Sequence, residues 1–161
     1  MNFTTDILPL KNRLYRLSLR ITLSHEEAED IVQDTMLKVW NRRDSWNELD
    51  SIEAYAMTIC RNLSLDHMKR RSTQNLSLDA MPLDRPDNTD DPLQQLAWKN
   101  SIEQIKSLMN AMPEKQRTCM QLRDFEGKSY KEIALILGIT EEQVKINIFR
   151  ARKTIKEKLT I

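Results

Sequence analysis

The stretch Gly127–Lys153, GKSYKEIALILGITEEQVKINIFRARK, leaves the backbone few options. Ser129 stands three residues before Glu132, and Thr140 three before Gln143. At that spacing a hydroxyl and a side-chain carbonyl reciprocally satisfy the unpaired amides of a helix start. Ile133, Ala134, Ile136 and Leu137 give the first helix an apolar stripe, and Gly138 can take the positive φ that ends it before a new direction. In the second helix Val144, Ile148, Ala151 and Ile155 fall on one face, while Lys145, Asn147, Arg150, Arg152, Lys153 and Lys156 lie largely elsewhere. The pattern predicts a helix-turn-helix whose second helix carries a core stripe and a basic face. A plain helical hairpin with a solvated basic face would share it. Phe149, set between Lys145 and Arg150, is poorly explained by solvation and suits contact with a thymine methyl or sugar, so DNA recognition is the expectation.

Composition limits the alternatives. The chain has 161 residues and 25 Lys+Arg against 24 Asp+Glu, a net charge of +1. Any affinity for a polyanion must therefore come from local asymmetry. Gln143–Ile161 holds six basic residues and one acidic; Asn62–Ser72 sets Lys69, Arg70 and Arg71 against Asp66; Leu78–Pro92 contains five aspartates against Arg85. Two glycines and repeated 3.6-residue periodicity predict an all-α fold. Met1–Ile21 is broken by Asp6, Lys11, Arg13, Arg16 and Arg20, so no signal peptide or membrane span is expected and the chain is assigned to the cytoplasm. Cys60 and Cys119 form no CxxC pair and are expected reduced and buried. No phosphate-binding glycine loop, nucleophile–base arrangement or metal-ligand set is visible, so neither enzymatic activity nor a cofactor or metal is expected.

Upstream, Leu10, Leu14, Leu17 and Ile21 mark an amphipathic helix over about Ile7–Thr22. A third capping-box spacing, Ser24 to Glu27, opens a helix through about Arg42 with Ala28, Ile31, Val32, Val39 and Trp40 inward. Its other side carries Glu27, Asp30, Asp34, Lys38 and Asn41 with Gln33 beside them, either a solvated face or a docking strip. A helix over Ser51–Arg70 directs Ile52, Tyr55, Ala56, Ile59, Cys60 and Leu63 inward, with Asn62, Asp66 and Lys69 sharing another face. Ser72–Pro92, with three prolines and no periodicity, reads as a tether. Helical pattern returns with Trp98, Ile102, Ile105, Leu108 or Met109 and Met112; Pro113 suits the first turn of a helix holding Met120, Leu122 and Phe125, which Gly127 ends. The organisation expected is two small helical domains, 1–72 and 94–161, joined by a flexible acidic linker, 73–93.

Three blocks, in order, carry a resemblance: Ala28–Thr35 with Lys38-Val39-Trp40; Tyr55, Ile59-Cys60-Arg61-Asn62, Asp66 and Arg70-Arg71; and Tyr130, Glu132-Ile133-Ala134 with Phe149-Arg150-Ala151-Arg152. Together they resemble extracytoplasmic-function (ECF) sigma factors of bacterial RNA polymerase over nearly the whole chain. The resemblance implies a region two domain in the first half and a region four domain in the second. It implies that Asp30, Gln33, Asp34 and Lys38 dock on the clamp coiled coil of core RNA polymerase, and that the flap is a further contact. It implies that Arg61, Asn62, Asp66, Lys69, Arg70 and Arg71 meet the minus-ten element as it melts, with Asn62 at the position that helps capture a flipped base; an amide offers both donor and acceptor for this. Ser129, Tyr130, Lys145, Ile146, Asn147, Phe149, Arg150, Arg152 and Lys153 fall on the minus-thirty-five reader, the recognition helix lying in the major groove. Ile146 and Asn147 depart from the family's common Ser-Arg pair, which implies an altered base preference. Ser129, Tyr130, Arg152 and Lys153 would position the helix on phosphates. An anti-sigma factor, often membrane-anchored, is the implied regulator, with no membrane insertion by this chain itself.

A magnitude supports this assignment. Two or three base contacts at about 1–3 kcal/mol each fall short of the roughly 4–10 kcal/mol by which specific binders discriminate. With no heptad repeat for dimerisation, two weak readers tethered on one polymerase gain the difference through effective concentration. The Leu78–Pro92 arm would span them, either as a soluble spacer or with its aspartates mimicking nucleic acid. The competing assignments are a stand-alone helix-turn-helix transcriptional regulator, and an adaptor that binds polymerase but not DNA.

Overall fold

The computed structural model describes residues 3–49, 51–74 and 96–159, and among them every regular element is helical. The acidic arm Leu78–Pro92 lies outside the described residues. A π-helical turn at Phe3–Ile7 and a 3-10 turn at Leu8–Leu10 precede α1 (Lys11–Thr22). Pro9 sits in that 3-10 turn, so the regular helix begins four residues later than the periodicity predicts. α2 spans His25–Asn41, a 3-10 turn follows at Arg43–Glu48, and α3 runs over Ile52–Gln74.

These three helices pack on one another, and small polar side chains sit among the apolar ones at their contacts. Ser18 and Ser64 are both buried and hydrogen-bond across α1 and α3 at 2.9 Å. The Cys60 thiol points at the Leu14 carbonyl, 3.4 Å away. Burial pushes that thiol up to about 12, and the Cys119 thiol likewise to about 12; both cysteines are free and buried, which disfavours the reactive thiolate. Trp46 closes the bottom of the bundle, donating from Nε1 to the Val39 carbonyl at 3.1 Å and meeting Trp40 edge-on.

Two expectations are corrected here. Ser24 does cap α2, its hydroxyl accepting from the Glu27 amide at 3.3 Å, but Glu27 does not reciprocate. Its carboxylate turns instead toward Arg71 of α3, 3.4 Å away. Second, the fully buried positions of α3 are Ala56, Met57, Cys60, Arg61 and Ser64, while Ile52, Tyr55, Ile59 and Leu63 are only partly covered. The helix is enclosed on more than one side, because α6 packs on it as well as α1 and α2, and a single-stripe reading cannot anticipate that.

The second half is built from α4 (Leu96–Asn110), α5 (Glu114–Met120, extended by a π-helical turn at Gln121–Phe125), α6 (Tyr130–Leu137) and α7 (Glu141–Lys158). Pro113 is the N-cap of α5. Met109, Met112, Met120, Ala151 and Ile155 form one core cluster. Ile133, Ile136, Val144 and Ile148 belong instead to a cluster continuous with the core of the first half. The two halves thus share apolar surface, and α1 and α3 each touch the second half.

Candidate nucleic-acid interface

The helix-turn-helix forms as its capping residues dictate. Ser129 and Glu132 exchange hydrogen bonds at 2.9 and 3.1 Å, and Thr140 and Gln143 do so at 3.0 and 3.0 Å, so both helices start with complete capping boxes. The Ser129 amide holds the Glu132 carboxyl below its ordinary value. Gly138 ends α6 at φ +71°, a left-handed conformation costly for any residue with a Cβ. The stripe Val144, Ile148, Ala151 and Ile155 is buried as predicted.

That packing turns the opposite side of α7 outward. Lys145, Arg150, Arg152 and Lys153 are exposed, Ile146 and Phe149 are 43% and 66% accessible, and Asn147 is half-buried. An aromatic ring presented to solvent among four cations has the composition of a DNA-contacting face. The polar groups differ in readiness. Asn147 donates to the Gln143 carbonyl of its own helix at 2.8 Å. Arg152 is held in a fork by Asp124, which raises the pKa of its guanidinium, and Lys153 lies 4.0 Å from Glu157. Tyr130 lies beneath two cations, the Arg123 guanidinium 4.4 Å and the Lys145 ammonium 5.5 Å from its ring centre. Arg123 also donates to the Lys128 carbonyl at 2.9 Å, and Ser129 stands exposed beside this cluster. Arg123 escapes sequence reading because it belongs to the preceding helix and reaches the motif only through the turn at Gly127.

On α3, Asn62, Asp66, Lys69 and Arg70 are exposed and follow one another along the helix. Asp66, Lys69 and Arg70, with Thr73, line an open hollow of about 380 Å³. Two members of the predicted minus-ten set are engaged elsewhere. Arg71 donates to the Thr22 carbonyl at 2.7 Å. Arg61 is only 6% exposed and forks onto Glu114 of α5 at 2.8 and 3.0 Å. On α2 the strip Asp30, Gln33, Asp34 and Lys38 is wholly exposed, and Leu37, 57% accessible, adds an apolar residue that charge patterning passes over.

Three surfaces therefore lie open on one chain: a polar α2 strip, an α3 face centred on Asn62, and a basic-aromatic recognition helix. Two family models match in the same order, Sigma-70 region 2 over residues 7–74 and Sigma-70 region 4 over residues 102–155. The chain belongs to the sigma-70 family. Within it, this sigma factor is 28% identical over 151 residues to the ECF RNA polymerase sigma factor SigE of Mycolicibacterium smegmatis, covering 92% of the chain and 58% of SigE. It is 27% identical over 154 residues to the ECF sigma factor SigF of Caulobacter vibrioides, covering 95% of the chain and 82% of SigF. The chain thus spans little more than half of one of these relatives. Its fold matches the sigma factor RpoE from Bartonella quintana, solved with the anti-sigma factor NepR, at a TM-score of 0.77 and 25% identity over 96% of this chain and 94% of that one. The resemblance carried by the three sequence blocks is borne out, as is the all-α fold with region two ahead of region four. Among the described residues, no helix is long and apolar enough to cross a membrane.

Proposed function

We propose that the chain acts as an ECF sigma factor, a dissociable, non-enzymatic subunit that directs core RNA polymerase to a subset of promoters and helps open them. The observation that carries this is the exposed recognition face of α7 on the same chain as an exposed, amide-bearing α3, each within a sigma-70 family match. Residues 1–72 would form the polymerase-docking and minus-ten unit, 94–161 the minus-thirty-five unit, and 73–93 their linker.

In this reading the α2 strip of Asp30, Gln33, Asp34 and Lys38 meets basic side chains of the clamp coiled coil, with Leu37 supplying apolar contact at its centre. Asn62 takes a flipped minus-ten base, and Asp66, Lys69, Arg70 and Arg71 flank it. Lys145, Ile146, Asn147, Phe149 and Arg150 face base edges of the minus-thirty-five element, while Ser129, Tyr130, Arg152 and Lys153 hold phosphates. Asn147 gives one amide hydrogen to its own helix, which leaves its carbonyl oxygen and second N–H for a base edge. An anti-sigma factor is the proposed regulator, and the cytoplasm, where polymerase works, the proposed location.

The test is run-off transcription. Purified chain added to core polymerase should yield transcripts from promoters mapped by start-site sequencing after overexpression, and should co-purify with core. Failure of both measurements refutes the proposal. Duplex binding without polymerase at comparable specificity would favour a stand-alone regulator.

A further inference from the structure

Arg71 stands at the basic end of α3 beside Lys69 and Arg70, but its guanidinium turns the other way. Lys69 and Arg70 are exposed and line, with Asp66 and Thr73, the open hollow of that face. Arg71 is half-buried and reaches back to the turn between α1 and α2. Its Nη2 donates to the Thr22 carbonyl at 2.7 Å and lies 3.4 Å from Oε1 of Glu27. Both partners suit a cation. Thr22 is the last residue of α1, where carbonyls lack helical partners and the dipole favours positive charge. Glu27 lies in the first turn of α2, where the dipole holds a carboxylate in its charged form.

The turn itself is arranged for this clasp. Leu23 sits at φ +60°, the single left-handed residue besides glycine among the described residues, a conformation that crowds a Cβ. The Thr22 hydroxyl braces it, donating to the Ser18 carbonyl at 3.0 Å and accepting from the Ser24 amide at 3.3 Å. That second bond occupies the donor a reciprocal capping box would offer Glu27, so the carboxylate is left to Arg71. Oε1 of Glu27 is covered from solvent and has no hydrogen bond; the Arg71 cation is the charge that compensates it. A phosphate that drew Arg71 away would strand that oxygen. Apolar packing of α3 also fades toward this end: beyond Ser64 no described position is fully buried, and Leu65 and Met68 are only partly covered.

We propose that Arg71 is a positioning residue and not a phosphate contact: clasped by Thr22 and Glu27, it fixes the last turns of α3 against the α1–α2 turn and so aims Lys69 and Arg70 at the melted minus-ten strand. The proposal rests on the sigma-factor reading for the identity of that ligand. It makes Glu27, an acidic residue, a contributor to DNA binding. Charge alone gives the opposite sign, since a carboxylate near a phosphate backbone repels it.

The experiment uses holoenzyme, formed from the full chain at saturation with core polymerase, and a promoter fragment unpaired across the minus-ten element, titrated over a range of salt. Glu27→Gln should weaken binding about fivefold. It should also flatten the slope of log affinity against log salt by about 0.7, the worth of one single-strand phosphate contact. A charge effect alone would tighten binding, and a general loss of fold would lower the active fraction without changing the slope. Arg71→Gln should act in the same sense, and the double variant should bind no worse than the weaker single, because both break one clasp. Unchanged or tighter binding by Glu27→Gln overturns the proposal, and a loss confined to Arg71→Gln makes Arg71 a phosphate contact. Losses that multiply in the double variant overturn the shared clasp. A chain that neither binds core nor directs run-off transcription overturns the sigma reading, and with it the role of the clasp in DNA binding.

Discussion

Arg117→Met isolates the buried charge with the most hydrogen bonds among the described residues. Its guanidinium, with the residue 5% exposed, donates from Nη1 to the Met112 carbonyl at 2.7 Å, from Nε to the Arg20 carbonyl at 2.8 Å and from Nη2 to the Ile21 carbonyl at 2.9 Å. The last two carbonyls belong to the final turn of α1, where helical backbone has no partner of its own and the helix dipole favours a cation. Arg117 thus finishes a helix of the other half. Burial lowers its pKa, and its half-buried neighbour Arg20 is lowered to about 10 by desolvation and by the Arg117 charge. Methionine fills similar volume without a donor. Hydrogen bonds from a charged group contribute about 1.5 kcal/mol each at the low end, so three lost bonds cost ~4–5 kcal/mol. Relief from burying a cation returns part of that, leaving a net loss of about 2–4 kcal/mol. With a urea slope of about 2 kcal/mol/M, the unfolding midpoint should fall by ~1–2 M. Chemical denaturation followed by far-UV dichroism measures it. A shift below ~0.3 M would refute the reasoning, as would full rescue by Arg117→Lys, since an ammonium cannot span three carbonyls in a plane.

Other outcomes follow from the surfaces. Asp30→Lys/Asp34→Lys should weaken binding to core polymerase by about 1–3 kcal/mol while leaving the thermal midpoint within a few degrees, because both side chains are exposed; unchanged affinity in a titration removes α2 as the docking strip. Asn62→Ala should slow promoter opening by about tenfold and leave initial recruitment nearly unaltered, as read by a fluorescent base in the minus-ten strand; equal losses in both steps argue against base capture. Acid should loosen the start of α6. The Ser129 amide depresses the Glu132 carboxyl, so its contribution is present above the unfolded value of roughly 4.3 and disappears as pH falls through the lower folded value; amide exchange at Ser129 that stays slow throughout would contradict this.

Much of the proposed interface was legible in the chain because it rests on interactions three or four residues apart. Ser129 with Glu132 and Thr140 with Gln143 close their boxes within one helical turn, Gly138 supplies its own permitted φ, and the resulting stripe leaves Phe149 and its flanking cations facing solvent. The α2 strip is exposed for the same reason, since Ala28, Ile31, Val32 and Val39 commit the other side to the core. Where a long-range partner competes, local spacing misleads. Ser24 and Glu27 have the spacing of Ser129 and Glu132, yet Glu27 leaves the cap because Arg71 arrives from α3.

By itself, then, the sequence determined the helices, the helix-turn-helix and the outward faces of α2 and α7, through short-range hydrogen bonds and the burial of one stripe per helix. Tertiary structure decided what the charged residues between the two halves do. Arg61 sits beside Asn62 in the chain and reads as a DNA contact, but 53 residues further on Glu114 meets it in space. Arg117 carries no local sign that it closes α1, nor Arg123 that it covers Tyr130. A guanidinium on a long, flexible stem takes whichever acceptors the packed halves bring within about 3 Å, and only the packing of α5 and α6 on α1 and α3 determines which those are.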